Sequence, residues 1–303
     1  MRTQKVLIPV LACALLLSGC AYIVTPEPEG TPASAVPKGW GAVVTDVRKT
    51  DAGDLGVDIT IQNDTGDWSA MQAADKPAVL TAGGKSTNCE TVFVGTGGHR
   101  LAPGFQMRAY TGGTKAEPVI QPITVECKGA EAAPGAKLVI DYSYVTGEYN
   151  YYDQQANKAS DTMELNLDEV ARDLKYPVAT AVEGLIHKPD APITAINDTT
   201  LALTGVERTE KGLQFKWQTS NPGEYPTSVH IGNPPVIGAD GVIYGFYQSP
   251  DIASVPVTGA GKTAEWTTEV AVPGDVAGLY MLLSVESKKQ RLFTNYAVDL
   301  TDK

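Results

Sequence analysis

"VVTDVRKTDAGDLGVDITIQN" (residues 43–63) reads as two strands joined by a charged turn with glycine. Its second strand alternates strictly. Val57, Ile59 and Ile61 point one way, and Asp58, Thr60 and Gln62 point the other. A period of two with one apolar side marks a sheet that buries one face and wets the other. The same plan recurs about 159 residues later in "ALTGVERTEKGLQFKWQTSN" (202–221). There Leu213, Phe215 and Trp217 face inward while Gln214, Lys216 and Gln218 face out. Both copies end at an asparagine. Two hairpins of like composition can arise by chance; the alternative, a duplicated domain start, is the expectation taken forward.

Working outward, each half offers further short strands broken by Gly and Pro. The first carries "ETVFVG", "GFQMRAY", "PITVEC", "KLVIDYSYV" and "EYNYYDQQ"; the second carries "TSVHIG", "GVIYGFY", "AEWTTEVAV", "LYMLLSVES" and "TNYAVDL". Many short strands at short spacing predict a β-sandwich in each half, with a barrel as the alternative closure. Between them, Leu167, Val170, Ala171 and Leu174 are spaced for one or two helical turns, with Asp168 as a cap and Pro177 as a stop. This 167–198 segment is too apolar for a free linker, so it should pack on one or both neighbours. The expected fold class is all-β, with sandwich domains at 40–166 and 199–303 and a partly helical linker at 167–198.

The front of the chain is a targeting signal. Arg2 and Lys5 precede an apolar run from Val6 to Leu17, too short to cross a bilayer. The run ends in Leu17-Ser18-Gly19-Cys20, which resembles the lipobox of bacterial lipoproteins. That resemblance implies removal of residues 1–19 and acylation of Cys20, hence a stable anchor in a membrane. Residues 20–39 then form a Pro-rich tether with little to bury. The expected location is a cell membrane or cell surface, lipid-anchored and facing the extracytoplasmic side.

The formal charge is −11, and loss of Arg2 and Lys5 with the signal makes the mature chain two units more negative. Nucleic acid is excluded as a partner, and so is membrane binding through a basic patch. Of the four cysteines, Cys13 lies in the signal and Cys20 takes lipid, which leaves Cys89 and Cys127. In an oxidising compartment a lone pair forms a disulfide; a reactive pair or half a metal site is the alternative, for which no neighbouring Cys or His completes a ligand set. Val119, Ile123, Val125 and Cys127 share one face of a strand, and Thr87, Cys89, Thr91 and Phe93 share another.

"VDITIQNDTGD", "LAPGFQMRAYTGG" and "KLVIDYSY" together resemble the telokin-like, immunoglobulin-type domains of bacterial surface lipoproteins. Leu101, Pro103 and Gly104 carry the turn in that match. The resemblance covers roughly residues 40–165, rests on turn chemistry, and implies an immunoglobulin-like sandwich that binds or supports, without catalytic residues. The second half shares the opening hairpin but lacks the cysteines.

Catalytic signatures are sparse. "GGKST" (83–87) lacks the first glycine of a phosphate-binding loop, since Val79 stands there. "GTGGHR" (95–100) has the wrong glycine spacing for a dinucleotide loop. His99, His187 and His230 show no metal-ligand spacing, and no G-x-S-x-G elbow exists. "DAGD" and "NDTGD" lack the calcium-loop pattern and read as turns. No cofactor or metal is expected. The candidate binding surface is Tyr151, Tyr152, Tyr225, His230 and Tyr247, because exposed tyrosines contact proteins and glycans well. The reading is a non-catalytic, lipid-anchored envelope module with an envelope protein or glycan as partner. The alternative is an extracellular hydrolase of envelope glycans or peptides, which His230 beside a serine in a cleft would favour.

Overall fold

The computed structural model describes residues 39–91, 95–113, 118–150, 157–171, 186–188, 191–232, 234–246, 252–287 and 292–301. Pro37–Lys303 forms one compact unit. The fold is all-β and compatible with a β-sandwich. No α-helix occurs among the described residues, where a single 3-10 turn (Ile196–Asp198) is the one helical element.

The first half carries β1 (Trp40–Lys49), β2 (Leu55–Asn63), β3 (Ser69–Ala73), β4 (Ala78–Ala82), β5 (Lys85–Thr91) and β6 (Gln106–Met107). It continues with β7 (Ala109–Gly113), β8 (Pro118–Cys127), β9 (Lys137–Thr146), β10 (Tyr149–Asn150) and β11 (Lys158–Asn166). Two short strands follow, β12 (Ile186–His187) and β13 (Ile193–Thr194). The second half has β14 (Thr200–Thr209), β15 (Gly212–Asn221), β16 (His230–Gly232), β17 (Val236–Ile237), β18 (Val242–Tyr244) and β19 (Ile252–Ser254). It closes with β20 (Lys262–Val270), β21 (Tyr280–Glu286) and β22 (Leu292–Asp299).

The two halves pair their strands in the same order. In the first, β2 lies between β1 and β8, and β9 lies between β11 and β3. In the second, β15 lies between β14 and β20, and β21 lies between β22 and β16. Register matches too. With Asn63 set on Asn221, Leu55 falls on Leu213, and these pair with Cys127 and Val270. Each opening hairpin carries a bulge at the same threonine, Thr45 or Thr204. Each of those hydroxyls donates to a carbonyl across the hairpin, Asp58 O or Lys216 O, both at 3.1 Å.

The asparagines that end the hairpins do the same work. Asn63 Nδ2 donates to Asp67 O and Leu101 O, both at 2.8 Å, and its Oδ1 accepts from Thr65 N. Asn221 Nδ2 donates to Tyr225 O at 2.9 Å and Thr258 O at 3.0 Å, and its Oδ1 accepts from Gly223 N. Both side chains are buried. Beside each corner stands one isolated bridge, Ser69 with Leu101 and Thr227 with Thr258.

Alternation produces the cores. Val57, Ile59, Ile61, Ile123 and Val125 bury with Leu80, Leu138 and Ile140. Leu213, Phe215 and Trp217 bury with Ile231, Met281, Leu283 and Val285. The wet face of β2 is only partly wet, because Thr60 is buried and Asp58 is gripped by Arg48 (Nε–Oδ2 3.0 Å) and Thr124. Val119 departs from the expected apolar face. The Pro118–Pro122 part of β8 pairs with β7 beyond the first core, and Val119 is exposed there.

The expected helix at 167–174 is corrected where it is described. Asn166 Oδ1 accepts from Asp168 N in a turn, and Val170 makes a parallel bridge to Val44. A strand edge at β1 outcompetes three-and-four spacing. Residues 172–185 of that expectation lie outside the described residues.

Pairing also joins the halves. β7 runs parallel to β18, with Ala109 opposite Val242 and Tyr110 opposite Ile243. β10 pairs with β22, and so does β12. Ile237, Ile243, Leu282 and Ala297 of the second half belong to the first core, and Ala109 of the first half belongs to the second. Phe246 packs on Gly97, beside His99 and Tyr110. "GTGGHR" is therefore a docking loop for an aromatic ring. Arg108 Nε donates to Asp240 O, and Thr111 Oγ1 accepts from Gly245 N at 2.9 Å.

Candidate binding surface

His230 sits in β16 between Val229 and Ile231, both fully buried. Side chains alternate along a strand, so the ring emerges on the opposite face. Register places three residues in one row across three strands: Ser254 of β19, His230 of β16 and Glu286 of β21. His230 Nδ1 and Glu286 Oε2 are 2.6 Å apart. The Glu286 side chain is 4% exposed and that of His230 is 36% exposed. A carboxylate at Nδ1 holds the ring proton there and leaves Nε2 as the basic nitrogen. In its neutral form such a ring accepts a hydrogen bond at Nε2 from a hydroxyl or amide.

The β16–β19 ribbon leads to the Asn221 corner, about 10 Å of extended chain away. Tyr225, whose carbonyl Asn221 fixes, is 79% exposed, and Val257, next to the bridged Thr258, is 69% exposed. The matching positions at the Asn63 corner are Asp67 and Arg100. Asp67 is exposed and caps Trp68 N at 2.7 Å, while Arg100 is buried and donates to Val145 O. One corner is thus polar and self-satisfied, and the other presents an aromatic and an aliphatic side chain to solvent. Burying such a pair in a contact is favourable at roughly 25 cal/mol per Å² of apolar surface.

Of the residues expected at the surface, Tyr225 and His230 lie along this one ribbon. Tyr151, Tyr152 and Tyr247 lie outside the described residues, as does Cys20. Tyr244, from the same aromatic stretch as Tyr225, is core instead. Its hydroxyl donates to Asp240 Oδ2 at 2.9 Å, and burial with that neighbour pushes its pKa up. Cys89 and Cys127 are joined (S–S 2.04 Å) across the β5–β8 ladder, next to the Glu90–Glu126 pair. "GGKST" forms the β4–β5 hairpin turn, with both glycines at positive φ.

Glu286, Ser254 and Val257 are the members that sequence reading missed. Glu286 sits in the apolar run "LYMLLSVES", where a buried acid needs a partner; nothing local names His230 as that partner. His99 stands apart. It is wholly buried, its ring is bonded to the Phe246 backbone, and its Nε2 has no partner. Burial pushes its pKa down to about 4. Among the described residues no cluster of His, Cys, Asp or Glu could hold a metal ion, and no helix is long and apolar enough to cross a membrane.

No protein-family model matches the chain, and no curated protein matches it. Several solved structures align with it, two of them over most of its length. One is the E. coli chaperone DraB, at 10% identity over 86% of this chain and 98% of that one, with a TM-score of 0.21. The other is the Salmonella enterica SafA pilin in complex with the SafB chaperone, at 10% identity over 86% and 96%, with a TM-score of 0.15. Scores this low mark no common arrangement.

Proposed function

We propose that this chain is a lipid-anchored cell-envelope protein, attached through Cys20, and that its body is a non-catalytic binding module. The body is read as two tandem immunoglobulin-type sandwiches, duplicated and then fused, carried above the membrane by the 20–39 tether. The observation that carries the binding reading is the Tyr225–Val257 pair, exposed at a corner whose twin bears Asp67 and Arg100. Duplication supplies the comparison: same strand order, same bulge and same asparagine, with different chemistry on top. Tyrosine beside an aliphatic residue suits a protein partner, with His230 adding a hydrogen-bond acceptor along the same ribbon. Folding tolerates change here, because both side chains are exposed.

The test is co-purification from detergent-solubilised envelopes. The wild-type chain should retain a specific envelope protein, and a Tyr225→Ala/Val257→Ala chain should lose it while keeping its unfolding midpoint. A partner retained equally by both chains would refute the reading.

One observation favours the alternative, hydrolysis of envelope glycans or peptides. His230 is bonded to Glu286, and a serine, Ser254, is its register partner on the next strand. A fluorophosphonate probe distinguishes the two readings. Labelling of wild type that is lost in Ser254→Ala and in His230→Ala would favour the hydrolase; no labelling is expected.

A further inference from the structure

We propose that the outer edge of β20 is a docking site for an extended basic segment of a partner protein, added as an antiparallel strand. β20 closes the sheet β13–β14–β15–β20. It pairs with β15 along its full length, Lys262 to Val270, and no described strand pairs with its other edge. Nine residues is long for an edge with no described partner.

The first half shows what such an edge takes. Its counterpart is β8, in the same register against β2. β8 has part of its outer edge occupied by an antiparallel strand: β5 meets Val125 and Glu126. By that register Val125 and Glu126 correspond to Thr268 and Glu269. The stretch that β5 covers in the first half meets no described strand in the second.

Charge selects the occupant. Thr263, Glu265, Thr267 and Glu269 are the exposed row of β20, while Ala264, Trp266 and Thr268 are half-buried. Trp266 is held ready. It stacks on Trp217 (centroids 5.5 Å, planes 15° apart), and its Nε1 donates to Thr219 Oγ1 at 3.1 Å. An added strand would meet Glu265 and Glu269 with Lys or Arg on one face and cover Trp266 with an apolar residue on the other. A second copy fits worse. Two β20 edges paired about Trp266 would gather four glutamates on one face, with the two Glu265 carboxylates on a close diagonal. This surface is independent of the Tyr225 corner, so either can fail alone.

The test uses the full-length chain and three nine-residue peptides. One has Lys opposite Glu265 and Glu269 and Val opposite Trp266. The second carries Glu in place of each Lys. The third is the basic peptide N-methylated at alternate positions, which removes its backbone donors. The basic peptide should protect alternate amides of 262–270 from hydrogen exchange and bind roughly tenfold tighter than the acidic one. Glu265→Lys/Glu269→Lys should reverse that preference, and N-methylation should abolish protection. The proposal is overturned if the basic peptide leaves 262–270 unprotected, or if charge reversal leaves the preference unchanged. It is equally overturned if the chain alone dimerises with these amides already protected.

Discussion

Asn63 and Asn221 each hold a chain reversal through one amide. Each accepts one backbone N–H and donates to carbonyls both four residues ahead and far along the chain. A buried amide that loses its partners strands several polar groups at once. Asn63→Ala and Asn221→Ala should each cost about 2–3 kcal/mol, seen as a lower denaturant midpoint at unchanged m-value. Asn→Asp should cost a similar amount, because it removes the Nδ2 donors and sets a carboxylate against carbonyl oxygens. His99 gives the pH prediction. Its folded pKa is lowered from 6.5 to about 4, so the unfolded chain binds the proton more readily. Stability from this group is fully present above pH 6.5 and is lost as pH falls toward 4, by about 3 kcal/mol in all. Denaturation between pH 7 and pH 4 should show that slope, and His99→Asn should flatten it.

At the scale of elements, both opening hairpins were legible because a two-residue period survives any tertiary context. The Gly83-Gly84 and Asp240-Gly241 turns were legible for their own reason, the need for positive φ. What was not legible had no local period. β3 "SAMQA" and β4 "AVLTA" are short and alanine-rich, and β11 "KASDTMELN" is mostly exposed and acidic. They are strands because neighbours on β9 pair with them. Val170 shows the reverse: a helical spacing was present, and pairing with Val44 overrode it. The Cys89–Cys127 link ties β5 to β8, and breaking it by Cys→Ser at both sites should cost roughly 3–4 kcal/mol. The "GTGGHR" loop answers to packing. A Cβ on Gly97 would lie 2.5 Å from Phe246 Cζ, at a φ of +59°. Gly97→Ala should therefore destabilise by about 1–3 kcal/mol, and Phe246→Ala should relieve only the steric part, leaving the backbone strain.

At the scale of the molecule, the halves pair through β7–β18 and β10–β22 and exchange core residues. Those pairings join residues more than a hundred positions apart, and no sequence window contains them. They make the body one folding unit. Trp40 and Trp68 report the first core, and Trp217 and Trp266 the second. In each variant keeping only one pair, tryptophan fluorescence and far-UV circular dichroism should give one coincident denaturant midpoint, and two separate midpoints within a variant would count against fusion. Exposure was the least legible property of the candidate site. Tyr225 and Tyr244 share one aromatic stretch; the fold buries Tyr244 and exposes Tyr225, and the sequence around them is equally rich in proline and glycine.

With Tyr225 and Val257 exposed at only one of the two matched corners, the partner should meet that corner alone. The direct measurement is photo-cross-linking on intact cells, with a photoreactive residue placed at position 225 in one chain and at its twin, position 67, in another. The account predicts a discrete cross-link to one envelope protein from position 225 and none from position 67. Equal products from both positions, or none from position 225, would contradict it.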